Sequence, residues 1–302
     1  MIAFLLALLA AALPFPQSHF DTVNGVSLHY RDWPAAGTGL KGSVLFVHGF
    51  AGSTFSWRRN IDTLVAQGFH VVAIDLPAYG YSDRRPGLDH TQRARARLLW
   101  QLLDDVNLKT GPPGQPVQWT LVGHSMGGGV VAAMALQEPD RVSSLVLVDA
   151  AIYLTPSSAS HVLVHIPPIR ALFEACARHE MTSRRAIADM LRSAYRRRPD
   201  TADVNGYFRP LQLPGTTRAV VDGLANGTDR EPLDMTAIFV PTLIIWGAND
   251  CWVPLASGRR LESEIPYSEL HVIPHGGHTP METEAGQFNQ LLLDFLARTA
   301  QP

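Results

Sequence analysis

The feature that most constrains this chain is the pentapeptide Gly123-His124-Ser125-Met126-Gly127, together with what flanks it. Before it, the apolar run Val117 to Val122 predicts a buried strand; after it, Gly128 to Leu136, rich in small and aliphatic residues, predicts a helix. Ser125 therefore stands on a tight turn between strand and helix. Glycines two residues before and two after it let the backbone turn sharply and leave room for packing. A turn of this kind holds a serine hydroxyl exposed at the end of a sheet, as a nucleophile. The five residues alone are weak evidence, and the strand and helix around them carry the weight.

The same alternation runs along the chain. Two alternating stretches, His19 to Val23 and Ser27 to Arg31, flank Asn24-Gly25, a strong hairpin signal. Val44 to His48, Val71 to Asp75, Leu145 to Asp149, Leu243 to Trp246 and Leu270 to Ile273 predict further strands. Phe55 to Gln67, Thr91 to Leu108 and Glu284 to Arg298 predict helices between or after them. Apolar strands separated by helices mean an α/β fold, with a mostly parallel central sheet flanked by helices. Between Asp149 and Pro241 no buried strand is evident, while Ile169 to Arg178 and Arg184 to Arg197 show helical patterns. A stretch of this length is too long for a plain loop and predicts a helical cap over the sheet. The expected organisation is a leader over 1–18, a core over 19–150 and 234–302, and a cap insertion over 151–233.

The chain has 302 residues, 46% of them hydrophobic and 17% charged, enough to bury a large core. A formal net charge of -2 gives no electrostatic case for a nucleic-acid partner. Arginines 184, 185, 192, 196, 197 and 198 cluster at a spacing that fits a solvated helix face better than an anion site. Cys176 and Cys251 are too few for a disulfide framework, although one bridge between them is compatible with export. Met1 to Pro14 is almost wholly apolar, like a signal peptide, but no Lys or Arg precedes the apolar run. A helix of about 13 residues spans roughly 20 Å, short of the ~30 Å hydrocarbon core. Export to the periplasm or medium, or membrane-surface association through this segment, is the expectation; a cytoplasmic protein with an apolar N-terminal segment is the alternative.

A serine hydroxyl needs a base to take its proton, and the base needs an orienting acid. Trp246-Gly247-Ala248-Asn249-Asp250 follows an apolar strand and places Asp250 in the turn after it. Gly276-Gly277-His278 follows the next strand. Loops at the carboxyl ends of parallel strands converge on one crevice, so Ser125, Asp250 and His278 can meet. Two amide donors are also needed for the charge that develops on a carbonyl oxygen. Met126, directly after the serine, supplies one, and Phe50 in the loop His48-Gly49-Phe50-Ala51-Gly52 is the best candidate for the other.

These pieces, with Asp75-Leu76-Pro77-Ala78-Tyr79-Gly80-Tyr81-Ser82 and Gly276-Gly277-His278-Thr279-Pro280, resemble the α/β-hydrolases of the capped, single-domain kind. They fall in that family's order over about Phe20 to Leu296. Ala78 departs from the glycine usual there, which implies a local change in turn geometry. The resemblance implies catalytic roles for Ser125, Asp250 and His278. It does not imply a substrate.

Each residue also has a plainer reading. Asp149 ends a strand too and rivals Asp250 as the acid, but the Asp250 turn fits the family pattern closely. His275 rivals His278 and reads as a loop residue. His48 and His124 read as structural hydrogen-bonders, Asp75 and Ser82 as turn stabilisers. Phe55 and Trp57 read equally as pocket lining or helix packing. No histidine spacing of the zinc-site type and no phosphate loop appears, so no metal or cofactor is expected. The favoured activity is that of a carboxylesterase or lipase on a small apolar ester. Ile152-Tyr153-Leu154 and Val162 to Ile169 suggest a greasy cap. A carbon–carbon bond hydrolase, a haloperoxidase or perhydrolase, and a non-catalytic small-ligand receptor remain as alternatives.

Overall fold

A computed structural model describes residues 13–37, 39–110, 117–153 and 166–299. Met1 to Ala12, most of the expected leader, and residues 154–165, part of the expected greasy stretch, lie outside these. Among the described residues no helix is long and apolar enough to cross a membrane.

Eight strands form one sheet in the order β1-β2-β4-β3-β5-β6-β7-β8. They are β1 (Ser18–Val23), β2 (Val26–Trp33), β3 (Ser43–Val47), β4 (His70–Ile74), β5 (Trp119–His124), β6 (Val142–Val148), β7 (Thr242–Gly247) and β8 (Ser268–Ile273). β1 and β2 make the antiparallel hairpin that Asn24-Gly25 predicts, with Val23 opposite Val26 and both turn residues at positive φ. β2 joins β4 antiparallel, and every later pairing is parallel.

The apolar runs are buried on both faces because alternate side chains feed two separate cores. Leu45, Val47, Leu121, Leu145, Leu147 and Trp246 enter one core. There they meet α2 (Gln92–Thr110), α3 (Met126–Gln137) and α8 (Leu255–Glu264). Val44, Phe46, Val122, Val146, Leu243 and Ile245 enter the other, against α1 (Ile61–Ala66) and α10 (Ala285–Thr299), with α9 (Pro280–Thr283) leading in. The stretch Phe55 to Gln67, expected as one helix, is a short 3-10 turn over Thr54–Trp57 followed by α1. Trp57 is core packing, its ring 4.5 Å from Phe46.

Between β6 and β7 the described residues hold no strand: they form α4 (Pro167–Thr182), α5 (Arg184–Tyr195), α6 (Thr201–Leu211), α7 (Thr216–Asn226) and a short 3-10 turn over Met235–Ala237. α5 and α6 lay Ile187, Leu191, Tyr195 and Tyr207 on Ala51, Phe50 and Trp252, which belong to loops at the carboxyl ends of β3 and β7. Arg185 and Arg192 face solvent, as their spacing predicts. Cys176 and Cys251 are both free and exposed, with no bridge between them.

Candidate functional site

β3, β5, β6, β7 and β8 are successive neighbours in the sheet, so the loops after them share one edge. That edge collects Phe50, Ser125, Asp149, Asp250 and His278.

Ser125 sits between β5 and α3 at φ 50°, ψ -119°, a conformation costly for a residue with a side chain. It is locked by three bonds. Its N–H donates to the Val148 carbonyl at 2.9 Å, and its own carbonyl accepts from Gly128 at 2.9 Å and Ala151 at 3.0 Å. The flanking glycines are required by close approach. A Cβ on Gly123 would lie 2.4 Å from the Gly127 oxygen, and one on Gly127 2.4 Å from the Val47 oxygen.

His278 and Asp250 meet as a buried pair, with Nδ1 2.8 Å from Oδ2. The other oxygen of Asp250 accepts from the amides of Trp252 (2.7 Å) and Val253 (3.1 Å). Burial pushes this carboxyl up, but the hydrogen bond and charge of His278 and the Trp252 amide outweigh it and hold it below the ordinary value. Asp250 is thus the anion that fixes the imidazole. The ring of His278 stacks on Trp252 at 5.0 Å between centroids, and the His278 backbone N–H donates to the Ala194 carbonyl of α5 at 2.8 Å.

Asp149 stands behind this pair and is wholly buried, at φ 44°. Ligand atoms of Asp149, Asp250 and His278 fall within 4.8 Å of one another. Asp149 Oδ1 accepts from the Gly247 amide at 2.9 Å, while Oδ2 is buried without an acceptor's usual donor. Burial, then the Asp250 charge, raises this carboxyl well above the ordinary value. The rise favours the protonated form, whose Oδ2–H would have Asp250 beside it as an acceptor. The two acids are therefore not interchangeable: one holds the histidine and the other holds the first.

Both flanking histidines are structural. His48 donates from Nδ1 to the Gly49 carbonyl (2.7 Å) and accepts the Leu76 amide at Nε2 (3.0 Å); burial keeps it neutral. His124 donates from Nε2 to the His278 carbonyl at 2.7 Å, and burial lowers its pKa to about 3. The Gly49 backbone passes so close to Ser125 that a Cβ there would lie 2.9 Å from the serine Cβ. The Phe50 and Met126 amides donate to no other group among the described residues.

Asp75 accepts from the amides of Thr54 and Tyr81 and pairs with His29, while Ser82 donates to its carbonyl, so both hold the turn as expected. Ala78 keeps the turn at φ 80°, the strained position where the family has glycine. His275 is exposed.

Three contacts escape sequence reasoning: Trp252 on His278, Ala194 on the His278 backbone, and a buried cluster at Glu282. Glu282 receives Arg58, Tyr195 at 2.7 Å and Tyr207, and Arg58 also reaches Asp203. The cluster ties α5 and α6 to the segment four residues after His278. Only the position of Trp252, two residues past Asp250, was a usable signal. Between these helices and the loops a cavity of about 20 Å³ remains, lined by Gly49, Phe50, His124, Leu191, Trp252 and His278, room for about one water.

A family model described as "Alpha/beta hydrolase family" matches residues 44–291. The putative carbamate hydrolase RutD of Variovorax paradoxus is 32% identical over 292 residues, covering 91% of this chain and 98% of the relative. A 2-hydroxy-6-oxononadienedioate/2-hydroxy-6-oxononatrienedioate hydrolase of Escherichia coli K12 is 28% identical over 283 residues, covering 90% and 91%. The solved structure of CarC, a serine hydrolase involved in carbazole degradation, has a TM-score of 0.73 at 22% identity, covering 93% and 98%; this is a likeness of fold.

Proposed function

The chain belongs to the alpha/beta hydrolase family, and on that footing we propose that it is a serine hydrolase that cleaves carboxylic esters through an acyl-enzyme. The observation that carries this reading is the buried Asp250–His278 pair at 2.8 Å, carried by the loops after β7 and β8 on the same sheet edge as the strained Ser125 after β5. His278 takes the Ser125 proton through Nε2, which is left free because Nδ1 is engaged by Asp250. The serine oxygen attacks the carbonyl carbon, and the charge that forms on the carbonyl oxygen meets the Phe50 and Met126 amides. His278 then gives its proton to the leaving oxygen. Water, deprotonated by the same imidazole, attacks the acyl group and restores Ser125.

Asp149, whose carboxyl burial raises, supports the scheme by disfavouring a second carboxylate charge beside the histidine. His48 fixes the loop that carries Phe50, and His124 and Ala194 fix the backbone of His278. In this reading α4 to α7 act as a cap, and the 20 Å³ cavity implies that it shifts before an ester enters. The relatives named as a 2-hydroxy-6-oxononadienedioate/2-hydroxy-6-oxononatrienedioate hydrolase and a putative carbamate hydrolase favour a second reading, in which the same three residues act on another carbonyl substrate.

A fluorophosphonate probe tests the nucleophile. Labelling is expected on Ser125 and is expected to vanish in Ser125→Ala with the fold retained by circular dichroism. Label on another residue, or none on the wild type, overturns the assignment. A panel of short esters, triglycerides, lactones and vinylogous diketones then separates the two readings.

A further inference from the structure

Arg95, on the first turns of α2, is a buried cation without an anion. It is 3% exposed. One terminal nitrogen donates to the Met126 sulfur at 3.0 Å and the other to His90 Nδ1 at 3.2 Å; Nε has no partner. Its guanidinium carbon lies 5.9 Å from the Tyr79 ring centre, with the Tyr79 hydroxyl close by. Among the described residues no carboxylate pairs with it. Asp89 and Asp222 act on the Arg95–His90 pair only at a distance, and both are engaged elsewhere, by the Thr91 amide and by Arg170.

His90 sharpens the point. Burial, then the neighbouring guanidinium, lowers it to about 4, so it is neutral at physiological pH. Because Nδ1 accepts from Arg95, the proton sits on Nε2, and Nε2 too is buried without a partner. The pair therefore presents a positive charge and two unused donors, the Arg95 Nε–H and the His90 Nε2–H, with a thioether sulfur and the Tyr79 hydroxyl standing where a carboxylate would pair the charge. A buried charge and unpaired donors are expensive, and proteins keep such features where function requires them.

The location fits a use in binding. Arg95 touches Met126, the residue directly after Ser125, and Tyr79 packs on Phe50 at 5.9 Å between ring centres. From above, α7 closes over the pair at Gly223, where a Cβ would lie 3.6 Å from the His90 ring and 3.7 Å from Arg95. The pair thus lies between the two amide-donor residues and the inserted helices.

We propose that Arg95 and His90 form the receptor for a carboxylate carried by the substrate, so that the site takes half-esters of dicarboxylic acids. This rests on the serine-hydrolase reading above. The carboxylate replaces the Met126 sulfur as acceptor and makes charge-assisted bonds to the guanidinium and the imidazole N–H.

Mono-p-nitrophenyl glutarate and p-nitrophenyl valerate are close in size and differ in that charge. The wild type is expected to prefer the acidic ester by at least tenfold in kcat/KM, and Arg95→Met to cut that ratio at least tenfold. Arg95→Met is also expected to raise Tm, because it removes an unpaired buried charge. A ratio near one in the wild type, or a variant that lowers Tm and both activities alike, marks a structural arginine and overturns the proposal. Should that variant not fold, His90→Gln and the binding of glutarate to Ser125→Ala by calorimetry decide, with no saturable binding counting against the receptor. Fluorophosphonate labelling separates the two layers: labelled Ser125 without charge preference sinks the receptor alone, and an unlabelled wild type sinks the hydrolase reading.

Discussion

Asp149 and Asp250 carry the same side chain and are shifted in opposite directions, because one is buried against the other's charge while the other holds an imidazole and two amides. This gives opposite pH signatures. Asp149 is raised, so its contribution to stability is fully present below the ordinary carboxylate value of 3.8 and is lost as pH rises through its folded-state value. Asp250 is depressed, so its contribution is present above 3.8 and is lost as pH falls. Asp149→Asn, which keeps an N–H donor toward Asp250, is expected to gain Tm over the wild type increasingly as pH rises from 4 to 8. Its turnover is expected to fall no more than about tenfold, roughly the 1.4 kcal/mol of one neutral hydrogen bond. Asp250→Asn is expected to lose roughly 10⁴-fold in kcat, because the imidazole is then held in the wrong tautomer. Scanning calorimetry across pH and steady-state kinetics check both, and the reverse ranking moves the acid role to Asp149. The sequence offered both carboxylates at strand ends. The turn around Asp250 pointed to the carboxylate that pairs with His278, but nothing in one dimension revealed that burial raises its rival.

At the scale of elements, the central strands β3 to β7 were legible because burial on both faces demands apolar runs, and the β1–β2 hairpin because of its alternation around Asn24-Gly25. The helices α6, α7 and α8 were not, since each mixes polar and apolar residues and leans on tertiary partners. α6 carries Asp203 and Tyr207 inward to Arg58 and Glu282, a polar contact that hydrophobic periodicity does not record. The loop after β8 is set by its fit to α5. A Cβ on Gly277 would lie 2.2 Å from the Ala194 oxygen, the acceptor of the His278 amide. Gly277→Ala is therefore expected to displace the His278 backbone and cost about 100-fold in kcat/KM, the scale of a 1 Å misplacement, with the secondary structure intact by circular dichroism. Kinetics near wild type would show that the loop adapts without moving the imidazole.

At the scale of the molecule, the inserted helices and the sheet are joined by a buried ionic cluster as well as by apolar contact. Arg58, Asp203, Glu282, Tyr195 and Tyr207 span both parts. Neutralising its centre with Glu282→Gln leaves Arg58 half-compensated in a buried place, a loss on the order of 3–5 kcal/mol. A marked fall in Tm by scanning calorimetry is the expected result, and a Tm within a degree of wild type removes the cluster as the clasp. What the sequence by itself determined was the order of apolar strands and glycine-bounded turns, because a parallel sheet fixes which strand ends lie together. It also placed Ser125, Asp250 and His278 at those ends. What only the tertiary structure decided was the state of Asp149, the stacking of Trp252 on His278, the clasp at Glu282 and the unpaired charge of Arg95. Each depends on the dielectric, the hydrogen-bond partners and the close approaches that groups distant in sequence meet only when packed.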